Sequence, residues 1–175
     1  MGVSHIAIAV KDMQATHRFY TEAMGFALVK TEIVPKEGGF ARHVFYSTGS
    51  DSDQLMAFWD LANDPTVGEF STDICRDLGL EVLTNHLAFS ADDLDDLAEH
   101  KQRWLDYGLT VLEIDHGWIV SIYTEDPDGI AVEFATLTTP FTEQDATEAL
   151  ELLMASNPPS DRVEPKISFH TPEDR

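Results

Sequence analysis

The sequence predicts an α+β fold of two tandem βαβββ modules, followed by a C-terminal helix and an extended tail. Three observations carry that prediction. The order strand, helix, three strands occurs twice. Each copy opens on a short alternating strand headed by histidine, "HIAIAV" from His5 and "HLAFSA" from His86. The helix-to-strand junctions also match, "MGFALV" in the first copy and "YGLTVL" in the second, each with a glycine at the helix stop.

Taken in order, residues 3–10 alternate with the period of a strand, and Asp12 is a plausible N-cap for the helix that follows. In that helix Met13, Thr16, Phe19, Tyr20 and Met24 share one face, and Gly25 ends it. Strands are expected at 26–34, 40–48 and 54–60, separated by turns built on Pro35, Gly38, Gly39, Gly49 and Asp51. A connector of mixed character at 61–83 holds one helical turn. The second copy has a helix from about Asp92 to Tyr107 with Gly108 as its stop, then strands at 109–114, 118–124 and 130–136 with "DHG" and "DPDG" turns. Thr142 is a candidate N-cap for a last helix with an apolar stripe of Ala146, Ala149, Leu150, Leu153 and Met154. From Ser156 a tail with four prolines reads as an extended arm.

At 175 residues the chain suits one domain over residues 1–140, with module one at 3–60, the connector at 61–83 and module two at 84–137, and with helix and tail at 141–175. Eleven Lys and Arg against 32 Asp and Glu give a net charge of −21, which repels phosphate backbones and anionic lipid surfaces. Neither nucleic acid nor a membrane is an expected partner. Cys75 is the only cysteine, so an intrachain disulfide and a thiolate metal cluster are both excluded. No basic segment followed by an apolar one precedes "SHIAIAV", and no apolar run approaches the roughly 20 residues needed to span a bilayer. A cytoplasmic location is the expectation.

Side chains alternate across a strand, so His5 shares a face with Ala7 and Ala9, opposite Ile6, Ile8 and Val10. His86 likewise shares a face with Ala88 and Ser90. Glu133 shares one with Ala131 and Ala135. Each of these strands has one face of large apolar residues to pack on a helix and one of small residues bearing a metal-competent side chain. A buried carboxylate needs a cation or several hydrogen bonds, and two imidazoles with a divalent metal supply them. Two histidines and one carboxylate with open positions match the facial triad of mononuclear Fe(II) oxygenases. By spacing alone, a strand-end histidine is also accounted for as a surface residue or one satisfied by a carbonyl.

These residues resemble the vicinal oxygen chelate superfamily, which comprises glyoxalase I, fosfomycin and bleomycin resistance proteins and type I extradiol dioxygenases. The resemblance covers residues 3 to about 137 and implies that the two modules form a cupped mixed β-sheet around a metal site, with His5, His86 and Glu133 as the metal ligands. The stretch "IDHGWIVSIYTEDPDGIAVE" is similar to the extradiol signature, with His116, Ile122, Tyr123, Asp126, Pro127, Gly129 and Glu133 in the required places. Glyoxalase I-like members carry a further metal-binding Glu in the fourth strand of the first module, where this chain has Leu55, Met56 and Ala57. One departure stands against the match. The extradiol acid/base histidine ahead of that strand is absent, with Asp53 or Gln54 near its place. His43 is a substitute or a surface residue, and His17, His100 and His170 read as solvent-facing.

The resemblance implies an Fe(II)-dependent extradiol ring-cleavage dioxygenase that takes a small aromatic diol and O2. Tyr123 would hydrogen-bond a substrate oxygen, and His116 would be a second-sphere hydrogen-bonding or proton-transfer partner. Phe58, Trp59 and Trp118 are candidate pocket aromatics that packing explains equally well. A homodimer or higher homo-oligomer is expected, with the modules closing on each other or exchanging between subunits. The alternatives are a glyoxalase-like or thiol-transferase metalloenzyme using Mn, Ni or Zn, and a non-catalytic small-molecule binding protein.

Overall fold

Alternating small and large residues divide the strands that carry His5, His86 and Glu133 into a face that packs and a face that stays open. The computed structural model describes residues 3–49, 54–159 and 164–173. Module one comprises β1 (His5–Val10), α1 (Met13–Arg18), β2 (Ala27–Lys36), β3 (Gly39–Ser47) and β4 (Leu55–Asp60). The connector holds the short helix α2 (Ile74–Asp77). Module two comprises β5 (His86–Ser90), α3 (Leu94–Tyr107), β6 (Val111–Asp115), β7 (Ile119–Glu125) and β8 (Ala131–Leu137), and the chain continues into α4 (Glu143–Met154) and β9 (Lys166–His170).

Each module forms its own mixed sheet, in the order β1-β4-β3-β2 and β5-β8-β7-β6-β9. The β1/β4 and β5/β8 pairs are parallel and the others antiparallel. The tail differs from expectation. Instead of an extended arm throughout, it ends in β9, a fifth strand paired with β6 from Val111↔His170 to Asp115↔Lys166. The alternation of Ile167 and Phe169 with polar residues was the available signal.

Asp12 caps α1 as expected, accepting hydrogen bonds from the backbone N–H groups of Gln14 and Ala15. The helix then widens into a π-turn over Phe19–Ala23, closed by the Met24 N–H donating to the Phe19 carbonyl at 3.0 Å. The wider turn buries Phe19, Tyr20, Ala23 and Met24 together. Gly25 then turns the chain with φ +77°, and a Cβ there would stand 2.5 Å from Nη1 of Arg103 on α3. Asp93 and Gly108 cap α3. Cys75 is buried, and its Sγ accepts from the Asn85 N–H at 3.2 Å, a structural role.

One hydrophobic core takes residues from both modules: Val44, Tyr46, Met56 and Phe58 from the first sheet, Ile122, Val132 and Phe134 from the second, and Phe19, Met24, Leu97 and Trp104 from the helical segments. Both large-residue faces turn into this core, so both small-residue faces turn away from it. The modules are also tied by polar contacts at the "DPDG" turn. Tyr20 donates to Asp126 at 3.0 Å, Thr16 to Asp128 at 3.3 Å, and the Lys11 N–H to Asp128 at 2.9 Å. Burial pushes the Asp126 carboxyl up to about 6.

Candidate functional site

β5 and β8 pair so that Ala88 stands opposite Glu133, which places His86 and Glu133 on one face. Their side chains meet, with His86 Nε2 2.8 Å from Glu133 Oε2. His86 Nδ1 lies 2.8 Å from the Leu83 carbonyl oxygen. A carbonyl can only accept, so Nδ1 carries the hydrogen, and in a neutral ring Nε2 then presents a lone pair. A carboxylate is also acceptor-only. Two lone pairs 2.8 Å apart, with Glu133 only 4% exposed, require a proton or a metal cation between or beside them. This donor set fits a divalent metal, with the Leu83 carbonyl fixing the imidazole tautomer as an outer partner does at metal-bound histidines.

Tyr123 stands opposite Glu133 across β7 and β8, so the two side chains share one face of the sheet. Burial, reinforced by the Glu133 charge, raises the phenol pKa and keeps it a hydrogen-bond donor. The His86 and Tyr123 rings meet edge to face at 5.8 Å. His86, Glu133 and Tyr123 are therefore brought together on the open face of the second sheet.

His5 heads β1 on the open face of the first sheet, opposite Leu55, and its Nδ1 lies 3.3 Å from the Ser4 hydroxyl. The structure does not bring it to His86 or Glu133. Among the described residues no group of three His, Cys, Asp or Glu side chains could hold a metal ion. The shared core explains the separation, because within one chain the two open faces look away from each other.

His116 lies in the β6–β7 hairpin, where its N–H bonds the Ile119 carbonyl at 3.0 Å. It is four residues beyond the Leu112–Tyr123 pair, roughly 13 Å along the strand. Asp53 falls outside the described residues, and Gln54 is exposed. His43 occupies the open face of the first sheet, stacked on Trp59 at 3.9 Å and with its ring 6.4 Å from that of His5. Its Nε2 is buried without a hydrogen-bond partner. Burial, then the neighbouring His5 charge, lowers its pKa and favours the neutral ring. The reading of His43 as a surface residue is thus corrected, and the signal was its alternation with Ala41 and Phe45.

The other candidates separate by face. Phe58 is fully buried on the helix side, 4.4 Å from Tyr20, and lines no pocket. Trp59 is on the open face with His5, and Trp118 packs on Phe141 at 5.3 Å. His17, His100 and His170 are engaged rather than simply solvated. His17 bonds Tyr46 at 2.9 Å, His100 stacks on Phe134 at 3.7 Å, and His170 lies 3.0 Å from Glu113. A cleft of about 880 Å³ on the helix side of the first sheet, lined in part by Lys11, His17, Arg18 and Arg42, contains none of the proposed metal ligands. Among the described residues no helix is long and apolar enough to cross a membrane.

Residues 2–134 match the family model described as the Glyoxalase/Bleomycin resistance protein/Dioxygenase superfamily. No curated protein matches the chain in sequence. Among solved structures, the fosfomycin resistance protein FosX from Mesorhizobium loti is 25% identical, with a TM-score of 0.55 over 83% of this chain and 97% of that one. A lactoylglutathione lyase from Agrobacterium tumefaciens is 22% identical, with a TM-score of 0.52 over 77% and 92%. A point mutant of the FosX protein from Listeria monocytogenes, complexed with Mn(II) and 1S,2S-dihydroxypropylphosphonic acid, is 19% identical, with a TM-score of 0.55 over 83% and 97%.

Proposed function

This chain belongs to the glyoxalase/bleomycin resistance protein/dioxygenase superfamily, and we propose that within it the protein is an extradiol ring-cleavage dioxygenase acting on a catechol-type diol with O2. The observation that carries the reading is the His86–Glu133 pair, two facing groups that a divalent metal would satisfy in place of a proton, with Tyr123 opposite Glu133 on the same face. Position 57 supports it. Ala57 pairs with Ala7 as Glu133 pairs with Ala88, so the first module offers no carboxylate at the equivalent place. Three protein ligands leave more open positions than four.

His86 and Glu133 would hold the metal from one chain, and His5 would come from β1 of a second copy, joining the open faces of two chains into one cleft in a homodimer. When bound, Fe(II) would supply adjacent positions for the two diol oxygens and for O2, making their encounter proximal. The chain's own residues do the rest. Glu133 contributes the negative charge that offsets the cation. Tyr123, kept protonated, donates to a substrate oxygen and orients the ring. His43, neutral and with an unpartnered nitrogen, accepts a hydroxyl proton from across the cleft. His116, at the hairpin end roughly 13 Å along the strand from the Leu112–Tyr123 pair, lies beyond proton-transfer reach of this row and takes no part in the proposed step.

The test is protein loaded anaerobically with Fe(II). The expected result is one iron per dimer site, O2 consumption with catechols and a coloured ring-fission product. No turnover across a broad catechol panel overturns the reading. The likeness to FosX, a fosfomycin resistance protein, favours a second reading, in which the chain is a glyoxalase-like or thiol-transferase metalloenzyme. Activity with Ni(II) or Zn(II) on a hemithioacetal, or with Mn(II) on fosfomycin, would establish that instead.

A further inference from the structure

β9 lies beyond the matched residues 2–134 and adds a fifth strand to the wall that carries Glu133. The strand register follows one row across that wall: Ala88 opposite Glu133, Glu133 opposite Tyr123, Tyr123 opposite Leu112, and Leu112 opposite Phe169. Directly opposed residues share a face, so Phe169 is on the face of the candidate site. A neighbouring row, Ala135, Ser121, Ile114 and Ile167, has the same form. At about 4.8 Å per strand, Phe169 is roughly 10 Å from Tyr123 and 14 Å from Glu133. Phe169 is 73% exposed and Ile167 57%.

The register is held from the opposite face. There Lys166 bonds Asp115 at 3.0 Å, and His170 lies 3.0 Å from Glu113, which also pairs with Lys101 of α3 at 2.6 Å. A slip by one residue would break these pairs and turn Phe169 away. β9 therefore presents Ile167 and Phe169 to the open face by construction.

We infer that β9 is the substrate-selecting wall of the cleft and that the substrate is a catechol carrying a bulky apolar substituent. The inference rests on the proposed metal site. Within the second sheet β5 and β9 are the two edges, with Glu133 on β8 one strand in from β5 and β9 three strands beyond β8. The polar end of the row takes the diol, and its apolar end takes the hydrocarbon.

The experiment is anaerobic equilibrium binding of catechol and 4-butylcatechol to the metal-loaded protein, to Phe169→Ser and to Ile167→Ser/Phe169→Ser, with Leu150→Ser on α4 as control. The wild-type protein and the control should prefer 4-butylcatechol by roughly tenfold or more. The β9 variants should lose most of that ratio while metal content and melting temperature hold. Equal binding of the two diols by the wild type overturns the inference and leaves the diol reading standing. Dissociation of the Phe169→Ser protein into smaller species, seen by sedimentation with the ratio unchanged, shows a subunit contact at β9 and also overturns it. Binding of neither diol removes the diol reading and the inference with it.

Discussion

The two modules carry the same row of positions with different chemistry. In module one it runs Ala7, Ala57, Phe45 and Lys30, and in module two Ala88, Glu133, Tyr123, Leu112 and Phe169. Both first strands begin with histidine. The second module alone adds a carboxylate, which meets His86 at 2.8 Å, and a phenol opposite it in the same row. The first keeps an aromatic lining of Phe45, His43 and Trp59 around His5. A duplicated scaffold thus supplies two unlike walls; in the proposed reading the second would hold the cation and the first would contribute a single ligand and a proton acceptor.

The comparison breaks most sharply at Glu133. Changing Glu133→Ala makes the second module match Ala57 of the first, and metal affinity should fall on the order of 100-fold or more, as read from metal content after dialysis. His5→Ala should produce a comparable loss if the first module provides a ligand from a second copy. Full metal retention in His5→Ala would show that the second wall binds the metal alone. Next in size is Tyr123→Phe, which reproduces Phe45. Turnover should drop about 100-fold, as for loss of one aimed donor, with metal content unchanged. Equal turnover would remove Tyr123 from the chemistry.

The joint between the modules offers the third prediction. Asp126 accepts from the Tyr20 hydroxyl and from the N–H groups of Asp128 and Ile130. Asp126→Ala leaves those donors buried and unpaired, and urea unfolding should show a loss of about 2–3 kcal/mol. Asp126→Asn keeps the acceptor, and Tyr20 can reverse its bond. The wild-type carboxyl is raised by burial from 3.8 to about 6, so between these values the folded chain holds a proton that the unfolded chain has released. Its contribution therefore favours folding below about pH 4 and declines as pH rises to 6, by up to about 3 kcal/mol. Relative to wild type, Asp126→Asn should gain stability across that window and level off above it. A flat difference would place the Asp126 carboxyl at an ordinary value.

The same comparison shows what the residues revealed before the coordinates. Alternation in "HIAIAV", "HLAFSA" and "IAVEFA" placed His5, His86 and Glu133 on small-residue faces, because strand parity is local information. The meeting of His86 with Glu133 followed from a parallel register the pattern does not encode. That His5 stays apart was not legible, since it depends on both large-residue faces sharing one core. His43 stayed between two readings for a related reason: parity puts it beside Phe45, but only the pairing with Trp59 shows that the face is lined. The "DPDG" turn read as a motif ahead of Glu133, while its side chains proved to lock one module to the other.

The smallest expected effect lies outside both modules. Thr142 and Asp145 form a capping box at the start of α4, with the Asp145 carboxylate accepting from the Thr142 N–H and hydroxyl at 2.6 Å each. Yet α4 buries none of its residues, and Leu150, Leu153 and Met154 are all more than half exposed. A helix of 12 residues with no buried side chain is marginal and depends on its cap. Thr142→Ala should therefore reduce helical circular dichroism slightly while the global melting temperature stays within about 1 °C, because neither module rests on α4. A fall of several degrees would show that α4 packs on another copy in solution, so the extension beyond module two would add to the assembly as well as to the cleft wall.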